Sequence, residues 1–148
     1  MKLDDALVGV ARLGIDTALI IYFIEAHPLY EAIVTPIFKL IADRRLTGIT
    51  STITLTEVLV QPFISANMRL QQEYRDILLY SPDFEVIPID VNVAERAAEL
   101  RARYGLRTPD ALQIAAALSS DCEAFVTNDS KLQRVTELRI LVLDNLEV

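Results

Sequence analysis

The sequence predicts an α/β fold, a parallel sheet covered by helices on both faces. Short apolar runs alternate with longer segments of helical period along the whole chain. No internal repeat, low-complexity stretch or linker breaks that alternation. At 148 residues the chain is long enough to bury one core, and a single domain spanning 1–148 is expected.

Taken in order, a short helix is expected around Asp4 to Val8 and a first strand from Val10 to Ile15. Thr17 to Ala26 has the pattern of a helix, stopped by the turn at His27-Pro28. His27 reads as a helix-end residue rather than a base. Tyr30 to Asp43 forms a second, amphipathic helix, and Thr47 to Thr50 a short strand. A helix from Ile53 to Val60 is ended by Pro62. Ser65 to Tyr80 is strongly helical, Phe84 to Ile89 a strand, and Val93 to Tyr104 a helix with its charges on one face. Thr108 to Ser119 continues as helix, Glu123 to Thr127 as strand, Ser130 to Val135 as a short helix, and Ile140 to Leu143 as the closing strand.

Composition narrows the class. Apolar residues make up 52% of the chain and only 4 are glycine, which excludes disordered and fibrous proteins. The longest apolar run, Ala18 to Ile24, falls far short of the roughly 20 residues a bilayer requires. No leader pattern opens the chain, and the single Cys122 has no partner for an internal disulfide, so a soluble cytoplasmic protein with no membrane association is expected. The net charge of −7 weighs against a polyanionic partner. The basic residues are clustered, however: Arg44 and Arg45; Arg101, Arg103 and Arg107; Lys131 and Arg134. A local basic rim is compatible with an acidic total.

In a parallel sheet, ligands sit beyond the carboxyl ends of the strands. Four acids fall near that edge, and each also has a structural role open to it. Asp16 follows the first strand and suits a helix N-cap. Glu57 lies three residues after Thr54, as in a capping box. In Thr108-Pro109-Asp110, Thr suits the N-cap, Pro the first helical position and Asp the first turn. Asp129 ends a strand and suits a cap for the helix beginning near Ser130. Their convergence on one edge is harder to explain structurally, because gathered carboxylates repel one another and a cation offsets that repulsion. Oxygen-only ligands with no cluster of His or Cys indicate Mg²⁺ or Mn²⁺.

These residues resemble the motifs of PIN-domain nucleases. Ile15-Asp16-Thr17 with Ile20-Ile21-Tyr22-Phe23 resembles their opening, Thr56-Glu57-Val58-Leu59 their second acidic motif, Leu106 through Ala115 (around Thr108-Pro109-Asp110) their third, and Thr127-Asn128-Asp129 their last. Ala18 departs from the Ser or Asn often found there. The resemblance covers essentially the whole chain, and its size is similar to that of VapC-type toxins. It implies a PIN-like α/β/α sandwich of about five short strands and about seven helices. It further implies metal-dependent hydrolysis of RNA by in-line attack, leaving a 5′-phosphate and a 3′-hydroxyl. Asp16, Asp110 and Asp129 would be metal ligands and Glu57 a ligand or a positioner of the attacking water. Thr17 and Asn128 are secondary candidates to orient a carboxylate or a metal-bound water, and Arg107 to contact phosphate. An antitoxin protein and a second copy of the chain, in a homodimer, are the implied protein partners, with part of the apolar surface of Tyr30 to Ile41 and Ile53 to Val60 exposed to receive them.

Other classes fit less well. A haloacid-dehalogenase-type phosphatase requires a second Asp where Ala18 stands, a receiver domain requires an acidic pair at the first strand, and no Gly-rich phosphate loop is present. A housekeeping RNA-processing nuclease and a non-cutting binding module of the same fold remain as alternatives.

Overall fold

The computed structural model describes residues 1–82 and 84–148. Five strands, β1 (Arg12–Ile15), β2 (Thr47–Ser51), β3 (Phe84–Ile87), β4 (Ala124–Thr127) and β5 (Arg139–Val142), form one sheet in the order β3-β2-β1-β4-β5. Every pairing is parallel. Seven α-helices accompany them: α1 (Leu3–Ala6), α2 (Thr17–Ile24), α3 (Glu31–Ala42), α4 (Thr52–Ile64), α5 (Met68–Leu79), α6 (Val91–Tyr104) and α7 (Thr108–Ser119). Short 3-10 turns at Ser130–Arg134 and Leu143–Asn145 follow β4 and β5. The expected α/β/α sandwich is therefore the observed one. No helix among the described residues is long and apolar enough to cross a membrane.

The alternation of side chains along each strand divides the core in two. Leu13, Ile15, Ala124, Val126 and Leu141 point to one face, where they pack with residues of α1, α2, α3, α4 and α5. Phe125 and Ile140 point to the other, against α6, α7 and the 3-10 turn after β4. Gly14 lies opposite Phe125 in the register. A Cβ at Gly14 would stand 2.6 Å from the Phe125 ring and 3.0 Å from Ala117 Cβ, so the missing side chain lets α7 and Phe125 close on the central strand.

Several boundaries differ from the sequence reading, each for a local reason. Pro62 does not end α4, which runs on to Ile64. It falls on the same stripe as Thr54 and Val58, four residues apart, and all three are buried. The carbonyl of Pro62 accepts the backbone N–H of Asn67 and the side-chain amide of Gln71, so the bend between helices keeps its polar groups paired. The long helix expected from Ser65 to Tyr80 begins only at Met68, because Ala66 takes a positive φ and Asn67 caps the new helix through Leu70 N–H. Thr54 is not a cap and makes no capping box with Glu57: Ser51 is the N-cap and its hydroxyl accepts from Ile53 N–H. Thr108 is likewise inside α7, whose N-cap position is held by Arg107 without a side-chain bond.

Ala at position 14 should cost about 2 kcal/mol through overpacking of a site that has no slack. Urea denaturation of Gly14→Ala beside wild type measures it, and an unchanged midpoint would show that Phe125 and α7 yield freely.

Candidate active site

The sheet order reverses direction between β1 and its two neighbours: the chain moves outward from β1 through β2 and β3, then returns to the other side of β1 with β4. The carboxyl ends of β1 and β4 flank the crevice this creates. Asp16 directly follows β1, and Asn128 and Asp129 directly follow β4. A cleft of about 340 Å³ opens there, lined by Asp16, Thr17, Tyr22, Glu57, Arg107, Asn128 and Asp129 among others. Asp110 lines an adjoining pocket, with Arg107 and Asp129 shared between the two. The four acids expected from sequence thus meet at one edge of the sheet.

Asp16 caps α2 through its own side chain: Oδ1 accepts Thr17 N–H at 2.8 Å, and Oδ2 accepts the Thr127 hydroxyl at 2.6 Å. Burial pushes the Asp16 carboxyl up to about 6, with the charges of Asp110 and Glu57 adding to the shift while the Thr127 and Thr17 bonds oppose it. Thr127 also accepts Asp129 N–H at 3.0 Å, so one buried hydroxyl orients both the Asp16 side chain and the Asp129 backbone. Asp129 caps the 3-10 turn, its Oδ1 accepting Lys131 N–H at 2.9 Å. Asp110 accepts Arg107 Nε at 3.1 Å; the Arg107 side chain is 77% exposed and the Asp110 side chain 14%. Arg107 is held above its usual affinity first by that bond, and by the charges of Asp110, Asp129 and Glu57.

Beneath the carboxylates lies a buried polar network that the sequence reading missed. Gln113, 3% exposed, donates both amide hydrogens, one to Thr17 Oγ1 at 2.9 Å and one to Thr54 Oγ1. Its Oε1 accepts the Ser51 hydroxyl at 2.6 Å. Thr50 donates to Thr54 at 2.7 Å, and Thr17 donates to Glu57 Oε1 at 2.8 Å. With the Thr17 proton committed to Glu57, the 2.8 Å contact between Thr17 and Thr54 must be donated by Thr54. Every hydroxyl then has its proton used, and the whole chain of bonds points toward the Glu57 carboxylate. Thr17 thus donates its hydroxyl to a carboxylate. Asn128 does not: its amide donates to the Tyr22 hydroxyl at 2.8 Å, and its Oδ1 is enclosed without a partner. The signal for Gln113 was available as one polar residue within the apolar run of α7, and that for Thr50, Ser51 and Thr54 as a cluster of small hydroxyl residues at the end of β2.

The donor set is all oxygen, with no His or Cys at the cleft, which fits a hard divalent cation. Among the described residues, no three acids gather closely enough to hold one ion with the side chains as they stand. Asp110 is engaged by Arg107 and Asp129 by Lys131 N–H. Cys122 lies before β4, at the far end of that strand, and burial pushes its thiol up to about 12, which leaves it protonated and unreactive.

Residues 14–138 match the PIN domain family. The chain belongs to that family. No curated protein matches it. Among solved structures, this PIN domain is similar in fold to a chain of the DNA-bound VapBC from Salmonella typhimurium, with a TM-score of 0.70 and 22% identity over 90% of this chain and 98% of that one. It is similar to a chain of VapBC2 from Rickettsia felis bound to a promoter DNA fragment, with a TM-score of 0.69 and 22% identity over 87% and 96%. A chain of FitAcB from Neisseria gonorrhoeae matches with a TM-score of 0.67 and 21% identity over 91% and 99%.

Two outcomes follow from this geometry. Gln113→Leu leaves the Ser51 hydroxyl proton without its acceptor and takes one donor each from Thr17 and Thr54, and should cost about 2 kcal/mol in urea denaturation; a loss no larger than that of an ordinary core swap would show the network to be dispensable. The Asp16 carboxyl binds its proton more tightly when folded, since about 6 exceeds the unfolded value of 3.8. Its contribution is therefore fully present below about pH 4 and is lost as pH rises through about 6. In chelator, wild type should lose more stability between those limits than Asp16→Asn does, and parallel pH profiles for the two proteins would contradict the assignment.

Proposed function

We propose that the chain is a metal-dependent ribonuclease that hydrolyses RNA phosphodiester bonds, and that it is the toxin of a toxin–antitoxin pair. The observation that carries the catalytic reading is the meeting of Asp16, Glu57, Asp110 and Asp129 at the carboxyl edge of β1 and β4 in a chain of the PIN family. A structural carboxylate cap does not call for three neighbours of the same sign. A binding module gains nothing from the Asp16 carboxyl being buried against that repulsion.

Asp16, Asp110 and Asp129 are the residues to hold Mg²⁺ or Mn²⁺, with Glu57 as a further ligand or as the positioner of water. When bound, the ion supplies charge stabilisation at the phosphate and a more acidic water. The protein's own part is orientation. Thr17 aims Glu57 at the cleft, and Thr127 aims Asp16. In this reading Glu57 accepts a proton from the attacking water, which forms the new bond to phosphorus as the bond to the 3′-oxygen breaks, and that oxygen takes a proton from solvent to leave as the 3′-hydroxyl. Arg107 stands between the two pockets, where it can exchange Asp110 for a phosphate oxygen.

The toxin reading draws on the similar structures, which are named as VapBC and toxin–antitoxin complexes. It also draws on an apolar surface. The large apolar residues of α3 are buried except the half-buried Leu40, but Val60, Phe63 and Ile64 of α4, Met68 and Leu79 of α5 and the following Tyr80 are exposed. Val60 ends the stretch expected from sequence and the others lie beyond it; these exposed side chains would receive an antitoxin or a second copy of the chain.

Asp110→Asn keeps an oxygen for Arg107 and should change stability by less than about 1 kcal/mol, because the partner is exposed. Its cleavage of a mixed single-stranded RNA pool with Mg²⁺ should fall by on the order of a hundredfold or more. Undiminished cutting, or a wild type that never cuts with either metal, would overturn the mechanism. In the absence of substrate, Mn²⁺ at a hundred times its dissociation constant should stabilise wild type by roughly 2.7 kcal/mol over chelator. Equal melting midpoints would remove the metal from the proposal. Induced expression of wild type in a bacterial host should arrest growth where Asp110→Asn does not, which separates a toxin from a housekeeping enzyme.

A further inference from the structure

We infer that the pocket beside the acidic cleft is a subsite for a backbone phosphate of single-stranded RNA, flanking the bond to be cut; this rests on the ribonuclease reading above. The pocket, about 170 Å³, is lined by Arg107, Lys131 and Arg134 on one part of its wall, by Asp110 and Asp129 on the part nearest the cleft, and by the open backbone of Gly105. It shares Arg107 and Asp129 with the cleft, so a ligand extended across those two side chains occupies both.

Lys131 and Arg134 belong to the 3-10 turn at Ser130–Arg134. Three residues per turn place them on the same side of it, one above the other. The turn is fixed by Leu132 and by the following Val135, both buried, and at its start by the Asp129 cap. Arg134 Nε donates to the Lys131 carbonyl at 3.1 Å, which holds the guanidinium base and leaves its terminal nitrogens open. The neighbouring basic residues are committed elsewhere: Arg101 to the Leu106 carbonyl at 2.8 Å, Arg103 to Glu137 at 3.2 Å, and Arg107 to Asp110 at 3.1 Å. Lys131 and Arg134 have no acidic partner among the described residues, and both are exposed.

In a protein of net charge −7, Lys131 and Arg134 set two cations without an acidic partner on one side of a pinned turn, next to an edge of carboxylates. Their placement makes sense for a polyanion. A phosphate crossing the carboxylate edge is repelled there, and cations one step further along hold the strand in place. A planar fork beside an ammonium suits phosphate oxygens. The interaction is with the nucleic-acid backbone and carries no base preference.

The test uses the full chain with Lys131→Gln and Arg134→Gln together, and as a control of equal charge change Lys39→Gln with Arg69→Gln, which lie outside both pockets. Binding of a fluorescent single-stranded RNA of mixed sequence is measured in chelator across a range of salt. The pocket variant should bind more weakly than the control, with a log K against log salt slope shallower by about 1.4, about 0.7 for each phosphate of a single strand that is no longer neutralised. In cleavage with Mg²⁺, KM for long RNA should rise with kcat unchanged, while a dinucleotide, which has no flanking phosphate, is cut equally by both proteins. A pocket variant that matches the control in affinity and slope, while wild type cuts RNA, would refute the subsite and leave the ribonuclease intact. A wild type that neither binds nor cuts RNA would overturn both.

Discussion

The carboxamide of Gln113 is the joint on which the acidic edge is assembled. It sits on α7, yet its bonds reach Ser51 at the end of β2, Thr54 on α4 and Thr17 on α2. Four elements from distant parts of the chain are thereby tied at one buried point, in a place where an unpaired amide would be costly. A carboxamide suits the position because it offers two donors and an acceptor from one rigid plane. A hydrophobic side chain of the same volume would fill the space, but it would take from Thr17 one of the two bonds its oxygen accepts and leave the Ser51 proton without an acceptor. Thr17 is the residue that aims Glu57. The network is thus both part of the core and the support of the site above it.

The architecture was legible because periodicity and strand alternation are set by burial, and burial is what the apolar pattern encodes. All five strands and the two-faced core follow from it. Asp16, Asp110 and Asp129 were legible because each stands at a strand end or first helical turn, while Glu57, in the second turn of α4, was legible through its motif. The misplaced boundaries have a common cause, local chemistry outvoted by packing. Pro62 and Thr54 read as stop and start signals, yet both lie on the buried stripe of α4, and their burial decided where the helix runs. The polar network was not legible, since Gln113 meets the Ser51 and Thr54 hydroxyls only across elements far apart in sequence. Thr127 is the same case: two positions before Asp129 it reads as one more strand residue, and only the fold shows it donating to Asp16.

The fourth helix has two occupations. Its buried face carries Thr54, and its surface carries Glu57 at the cleft and then Val60, Phe63 and Ile64 in the exposed apolar band. Phe63 lies six residues beyond Glu57, about 9 Å along the helix axis. A single rigid element therefore joins the surface suited to a protein partner to the carboxylate that Thr17 aims, with no loop between them to absorb a displacement.

The half-buried Cys122 has a practical bearing. With burial raising its thiol, the thiolate at neutral pH is much rarer than that of a free cysteine. A cysteine introduced on the exposed surface would therefore react with maleimide or a spin label well ahead of the native one. Dyes could be attached at chosen pairs of positions without first removing Cys122, whose replacement would disturb the packing it shares with α7 and β4.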